Sequence, residues 1–205
     1  HIYTSNQSGK TCAQQLHEAY QYVKAPITAL GNCALGEVSV NGMINGIAHL
    51  KHPNVFQVTG SAEKPSIEYA KQKLSSIKLK DYTDRRYLCN FGMDILPNEI
   101  FDILESNLTN KIFTKNELQL RDAQTSLLKY VPESSEQKTP LGLFGAYIDG
   151  ARWDTGRPES YVEAINVYND IYNTSKLSGK ENTKSSGKEN TKSSSRDSSK
   201  PAEPS

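Results

Sequence analysis

Leu30-Gly31-Asn32-Cys33-Ala34-Leu35, with the apolar run that follows it to Leu50, is the stretch on which the fold turns. Val40, Met43, Ile44 and Ile47 recur at spacings of three and four, the period of one helix face. This predicts a helix with Cys33 in its first turn. Unpaired backbone N–H groups and the helix dipole favour negative charge there. Such a place lowers a thiol's pKa and makes it a nucleophile at neutral pH. The competing reading of the same residue is packing, because cysteine is among the most buried residue types.

Upstream, His1 to Thr4 suits a short strand. Thr4 to Thr11 reads T-S-N-Q-S-G-K-T and ends like a phosphate-binding loop. Thr4 stands where that pattern wants glycine, and no long apolar strand precedes it. Gly9-Lys10-Thr11 therefore reads as a chance match, with Ser8 or Thr11 capping a helix to Lys24. Leu16, Ala19, Tyr20 and Val23 form that helix's stripe, and Pro26 ends it.

Downstream, His52-Pro53 breaks the expected helix, and Asn54 to Gly60 is the best strand. A helix falls between Ser61 and Lys80, with Ile67, Ala70, Leu74 and Ile77 on its buried side. Arg86 to Phe91 suits a short strand. Pro97 opens a helix through Leu108 with Ile100, Phe101 and Leu104 inward. Thr114-Lys115-Asn116-Glu117 matches a capping box for a helix to Val131. A polar loop follows to Pro140. Leu141 to Gly156 reads as irregular. Pro158 starts a last helix with an aromatic stripe of Tyr161, Ile165, Tyr168 and Tyr172. The expected class is α+β, predominantly helical with a small sheet.

The chain has 205 residues and a net charge of +1. Residues 1–175 are expected to form one globular domain. From Lys176 the composition is Ser, Lys and acid, and Ser178 to Ser185 is repeated as Ser186 to Ser193. Residues 176–205 hold almost nothing to bury, so they are expected to be a disordered tail. That tail is net basic, which leaves the body slightly acidic and argues against a nucleic-acid surface. Three cysteines, Cys12, Cys33 and Cys89, fit neither a zinc site nor a disulfide framework. A reducing compartment is expected, either cytoplasmic or, for a secreted protein, a host cytoplasm. No run suits a membrane span, no signal peptide opens the chain, and neither a cofactor nor a metal is implied. The chain opens on His1 rather than Met and reads as a piece of a longer one.

Gly31-Asn32-Cys33-Ala34-Leu35, after Ile27-Thr28-Ala29-Leu30, resembles the nucleophile motif of ovarian-tumour-type (OTU-like) cysteine proteases, closest to divergent members among bacterial secreted effectors. The resemblance implies a papain-like α/β fold, cleavage of ubiquitin from proteins, and an oxyanion hole formed by the backbone of Gly31 and Asn32 ahead of Cys33. The family's acid before this motif is Leu30 here. The family's downstream histidine is absent, since Arg152 stands in the His-Trp place and arginine is no general base. On a helix from Cys33, His49 and His52 lie over ~20 Å away at ~1.5 Å per residue. His1 is left as a candidate base, with Asp154 or Asn32 to orient it.

Three functions follow. The main expectation is an interaction module, a catalytically degenerate OTU-like fold that binds ubiquitin or another host protein through Arg152, Trp153 and Tyr161. The alternative is an active deubiquitinase using Cys33, His1 and Asp154. The second alternative is nucleotide binding through Gly9-Lys10-Thr11.

Overall fold

The computed structural model describes residues 1–114, 116–131, 140–156 and 158–185. The compact units are His1–Trp153 and a second that begins at Asp154. The expected polar loop, but for Pro140, and the tail from residue 186 onward lie outside the described residues.

The first unit is organised by sheet, not by helices. Its strands are β1 (Ile2–Ser5), β2 (Ile27–Cys33), β3 (Gly42–Ala48), β4 (Val55–Glu63), β5 (Ser76–Ile77), β6 (Arg86–Ile95), β7 (Phe144–Tyr147) and β8 (Gly150–Trp153). Five of them close on themselves in the order β2-β7-β4-β3-β6, and β6 returns to β2. β2 runs parallel to β7 and antiparallel to β6. β3 and β4 form a hairpin, and β3 meets β6 through the pair Met43 and Cys89. β5 extends β6, while β1 and β8 form a separate antiparallel pair.

The helix expected from Cys33 to Leu50 is thus corrected to the end of β2, a 3-10 helix over Leu35–Val40, and β3. The helical spacing is not a buried face: Val40 and Ile47 are exposed, and Met43 and Ile44 are buried on opposite faces of the first half of β3. Met43 packs with Cys33, Val38, Ala70 and Cys89, whereas Ile44 packs with Leu30, Phe56 and Val58. A strand covered on both sides loses the alternation that marks a half-exposed one. Gly46 marks the bulge at which register slips between Asn45 and Gly46. A Cβ there would lie 3.1 Å from the Gln57 carbonyl and 3.2 Å from the Phe56 Cβ.

β2 divides its side chains likewise. Ile27 and Ala29 face α1 (Cys12–Val23), with Leu16, Phe91 and Ile148. Leu30 faces α3 (Glu99–Thr109) and α4 (Leu120–Ser126), with Ile100, Ile103, Ala123 and Leu127. Full burial of such a side chain is worth about 1.5–3 kcal/mol. α2 (Ile67–Lys73) places Ala70 on the Cys33 cluster.

α1 begins as expected. The Thr11 hydroxyl accepts from the Gln14 N–H at 3.2 Å, and the Gln14 side chain accepts from the Thr11 N–H at 2.7 Å. Other boundaries differ. The helix expected within 61–80 is α2 followed by β5. The supposed capping box at Thr114 caps no helix: Thr114 bridges Glu117, its hydroxyl donates to Asp122 at 2.7 Å, and α4 starts at Leu120. The stretch read as irregular holds β7 and β8. Phe101 is exposed rather than inward. The second unit carries α5 (Pro158–Ser185), which runs into the segment expected as tail. Tyr161, Ile165 and Tyr168 on it are exposed. No helix among the described residues is long and apolar enough to cross a membrane.

Candidate functional site

Where β3 begins and β4 ends, the hairpin opens a polar cleft. Gly42 pairs with Glu63 in the ladder. The next residue, Lys64, adopts φ +48°, and its N–H donates to the Asn41 carbonyl at 3.1 Å. A left-handed lysine carries a conformational cost that neighbouring structure must hold in place. The cleft, about 410 Å³, is completed by Asn90 of β6, Arg152 of β8, and Thr114, Glu117, Gln119, Arg121 and Asp122 from the segment entering α4. It adjoins a second hollow of about 290 Å³, with which it shares Asn41, Asn90 and Arg152. Gly31, Asn32, Cys33, Glu37, Tyr82 and Cys89 are among the walls of that hollow.

Charge is unevenly engaged around the cleft. The Asp122 carboxylate accepts from Thr114, and Glu117 accepts from the Gln119 amide at 2.8 Å. The ion pairs found among the described residues are Lys10 with Glu18 and Arg86 with Glu37 and Asp84. Lys64, Arg121 and Arg152 therefore face the cleft with no carboxylate in pairing range among the described residues. Gly42 makes the floor thin: a Cβ there would lie 2.8 Å from a Glu63 carboxylate oxygen and 3.5 Å from Arg121 Nε.

In the wall of the second hollow, Asn32 and Tyr82 are held from behind by side chains outside its lining. Arg86, its side chain only 14% exposed, donates from Nε to Asn32 Oδ1 at 2.8 Å. Asn32 Nδ2 donates to the Tyr147 hydroxyl at 3.1 Å, which fixes both ends of the amide. The guanidinium also lies over the Tyr82 ring at 4.4 Å. Burial, chiefly, pushes the Tyr147 hydroxyl above its ordinary pKa.

The residues singled out from sequence fall in different places. Cys33 stands at the end of β2, not at a helix tip. It is buried, with its sulfur 3.9 Å from the Met43 thioether. A hydrogen bond shared with the Cys89 thiol, reinforced by burial, raises the Cys33 pKa well above the thiol range. Gly31 and Asn32 lie in the β2–β6 ladder opposite Cys89 and Leu88. A Cβ on Gly31 would meet the Phe91 ring at 3.2 Å, so close packing of strands explains this glycine. The His1 ring lies edge-on to Tyr3 and beside Gly92. Asp154 begins the second unit and accepts from the Gly156 N–H at 3.0 Å. Arg152 lines the cleft. Trp153 pairs with Ile2, and its indole donates to the Thr4 hydroxyl at 3.2 Å. Tyr161 is on α5. Lys10 pairs with Glu18 at 2.8 Å, and the Thr11 hydroxyl caps α1. His49 and His52 lie between β3 and β4, grouped with the Tyr22 ring.

Sequence reading passed over Asn41, Glu63, Lys64, Asn90 and Arg121. Glu63-Lys64-Pro65 offered the available signal, a charged pair at a strand's end ahead of a proline and a helix.

No family model and no curated protein matches the sequence. Solved structures do. An apo UDP-glucose pyrophosphorylase is 26% identical over 83% of this chain and 52% of its own, with a TM-score of 0.61. A UDP-glucose pyrophosphorylase complexed with UDP-glucose is 25% identical over 83% and 53%, with a TM-score of 0.58. A UTP-bound UGPase from Acinetobacter baumannii is 19% identical over 80% and 47%, with a TM-score of 0.55, and speaks for the fold alone. The chain spans about half the length of these structures. They overturn the ovarian-tumour-type reading, and with it the papain-like fold, the ubiquitin-binding module and the cysteine protease. The physical reason is the barrel itself: it turns the supposed nucleophile helix into the end of β2, a 3-10 helix and β3. Nucleotide binding, the second alternative, agrees with these neighbours in part.

Proposed function

We propose that this chain carries the sugar-nucleotide-binding part of a nucleotidyltransferase of the UDP-glucose pyrophosphorylase kind, with the cleft between the β3–β4 hairpin and the start of α4 as its site. The observation that carries this reading is the convergence of Lys64 and Arg152 on one cavity without carboxylate partners there. Two such cations match the two negative charges of a nucleoside diphosphate sugar, and charge-assisted hydrogen bonds to phosphate are among the stronger polar contacts. Glu63, Asn41 and Asn90 supply acceptors and donors for sugar hydroxyls. The likeness to a structure complexed with UDP-glucose supports the ligand class. In transfer of a nucleotidyl group between phosphate oxygens, fixed cations of this sort stabilise the charge that builds up on the moving phosphoryl group.

Titration calorimetry of the full chain with UDP-glucose tests the reading. Binding is expected, and Lys64→Ala or Arg152→Ala is expected to weaken it about tenfold or more, the equivalent of one lost charged hydrogen bond. No heat of binding at millimolar ligand, with circular dichroism showing a folded chain, refutes it.

A further inference from the structure

Arg121 is the residue of the cleft that a neutral sugar leaves unexplained. It sits in the first turn of α4, half-buried. Its main-chain carbonyl accepts from Thr125, but its guanidinium has no hydrogen bond or ion pair among the described residues. Its charge is therefore open to an anionic group that enters the cleft. None of the carboxylates around it comes within pairing range. Asp122 is held by Thr114 and Glu117 by Gln119. Glu63 shares with Arg121 the space over Gly42 without coming within ion-pair range.

Placement adds to this. Arg152 lies where the two hollows join, whereas Arg121 lines the larger of the two and not the smaller. A diphosphate held by Arg152 at the junction and by Lys64, which like Arg121 lines the larger hollow alone, puts its sugar into the lobe of Arg121. We infer that this lobe is built for a sugar ring bearing a carboxylate, so that among nucleoside diphosphate sugars the site prefers a hexuronate to a hexose. A guanidinium presents two parallel N–H donors in the geometry a carboxylate accepts. This inference rests on the sugar-nucleotide reading of the cleft and specifies its substrate.

The test compares dissociation constants of the full chain for UDP-glucuronate, UDP-glucose and UDP at low salt. UDP-glucuronate is expected to bind about tenfold or more tightly than UDP-glucose. In Arg121→Gln, checked for folding by circular dichroism, the two sugar nucleotides are expected to bind alike. UDP-glucose binding at least as tightly as UDP-glucuronate overturns this inference and leaves the sugar-nucleotide reading standing. A preference for UDP-glucuronate that survives Arg121→Gln likewise overturns it. Failure of all three ligands to bind overturns both readings together.

Discussion

Gly145→Ala tests the parallel seam between β2 and β7 on which the barrel depends. An ideal Cβ at residue 145 would sit 2.3 Å from Leu30 Cδ1 and 2.8 Å from Leu30 Cγ. Apolar carbon atoms rest at about 3.5–4.0 Å, so the added methyl is more than an ångström too close. Leu30 is fully buried and has no solvent to retreat into. Overpacking of this kind costs about 1–3 kcal/mol. Leu30→Ala alone leaves a cavity and costs about 2–5 kcal/mol. In the double variant the new methyl enters the space the leucine vacated. The two costs are therefore expected to fall short of additivity by about 1–3 kcal/mol. Urea unfolding followed by fluorescence of Trp153, the sole tryptophan, reads this directly: with m near ~2 kcal/mol/M, a cost of about 2 kcal/mol moves the midpoint by about 1 M. Additive losses, within about 0.5 kcal/mol, would refute the seam. Gly150→Ala is the control, because its Cβ would lie 2.4 Å from the Thr4 carbonyl oxygen as well as 2.9 Å from Cys12 Sγ. Trimming Cys12 is expected not to rescue it, since a main-chain atom stays in the way.

Thr28 is 1% exposed, and its hydroxyl has no partner among the described residues; Asp94, opposite it in the ladder, has an oxygen in the same position. Thr28→Val is expected to raise stability by about 1 kcal/mol in urea unfolding, since an unmet buried hydroxyl is replaced by a methyl. Arg86→Ala removes the donor to Asn32 and the cover over Tyr82, and is expected to cost about 1–3 kcal/mol by the same measurement. Burial raises the pKa of both Cys12 and Tyr147 in the folded chain. The native state therefore holds these protons more tightly than the unfolded one. Their contribution is complete below the ordinary values of about 8.5 and 10 and declines as pH climbs past them. Urea midpoints are expected to fall in that alkaline window, less steeply in Tyr147→Phe. Thiol reagents are expected to label Cys33 orders of magnitude more slowly in the native chain than in denaturant; native labelling at the denatured rate would contradict its burial.

Local chemistry made part of this fold readable. Thr11 and Gln14 set the start of α1, and β-branched residues between Pro53 and Gly60 mark β4. The strand near Arg86 was also legible, although it runs on to Ile95. Closure of the barrel was not legible, because it buries β2 and the first half of β3 on both faces. Ile27 to Cys33 then shows neither alternation nor a helical period, and the spacing of Val40, Met43, Ile44 and Ile47 imitates a helix. Gly42 and Gly46 carried the contrary signal, a close approach and a bulge that a helix does not need. The cleft was hidden for another reason. Lys64, Arg121 and Arg152 are distant in sequence and meet only when the β3–β4 hairpin, α4 and β8 are in place. Asn32 was noticed for its neighbours in sequence, whereas its structural role lies in Arg86 and Tyr147.

β7 sits between β2 and β4, yet it follows both by many tens of residues. A ribosome releases the flanking strands long before the one that belongs between them. Until Phe144 to Tyr147 emerges, two apolar strand edges stand open, and the ring cannot shut. Late, long-range pairings of this sort slow folding and invite edge-to-edge association. The emerging chain thus has its most vulnerable interval just before β7 arrives, and a holdase chaperone that covers β2 and β4 in that interval would raise the yield of folded protein.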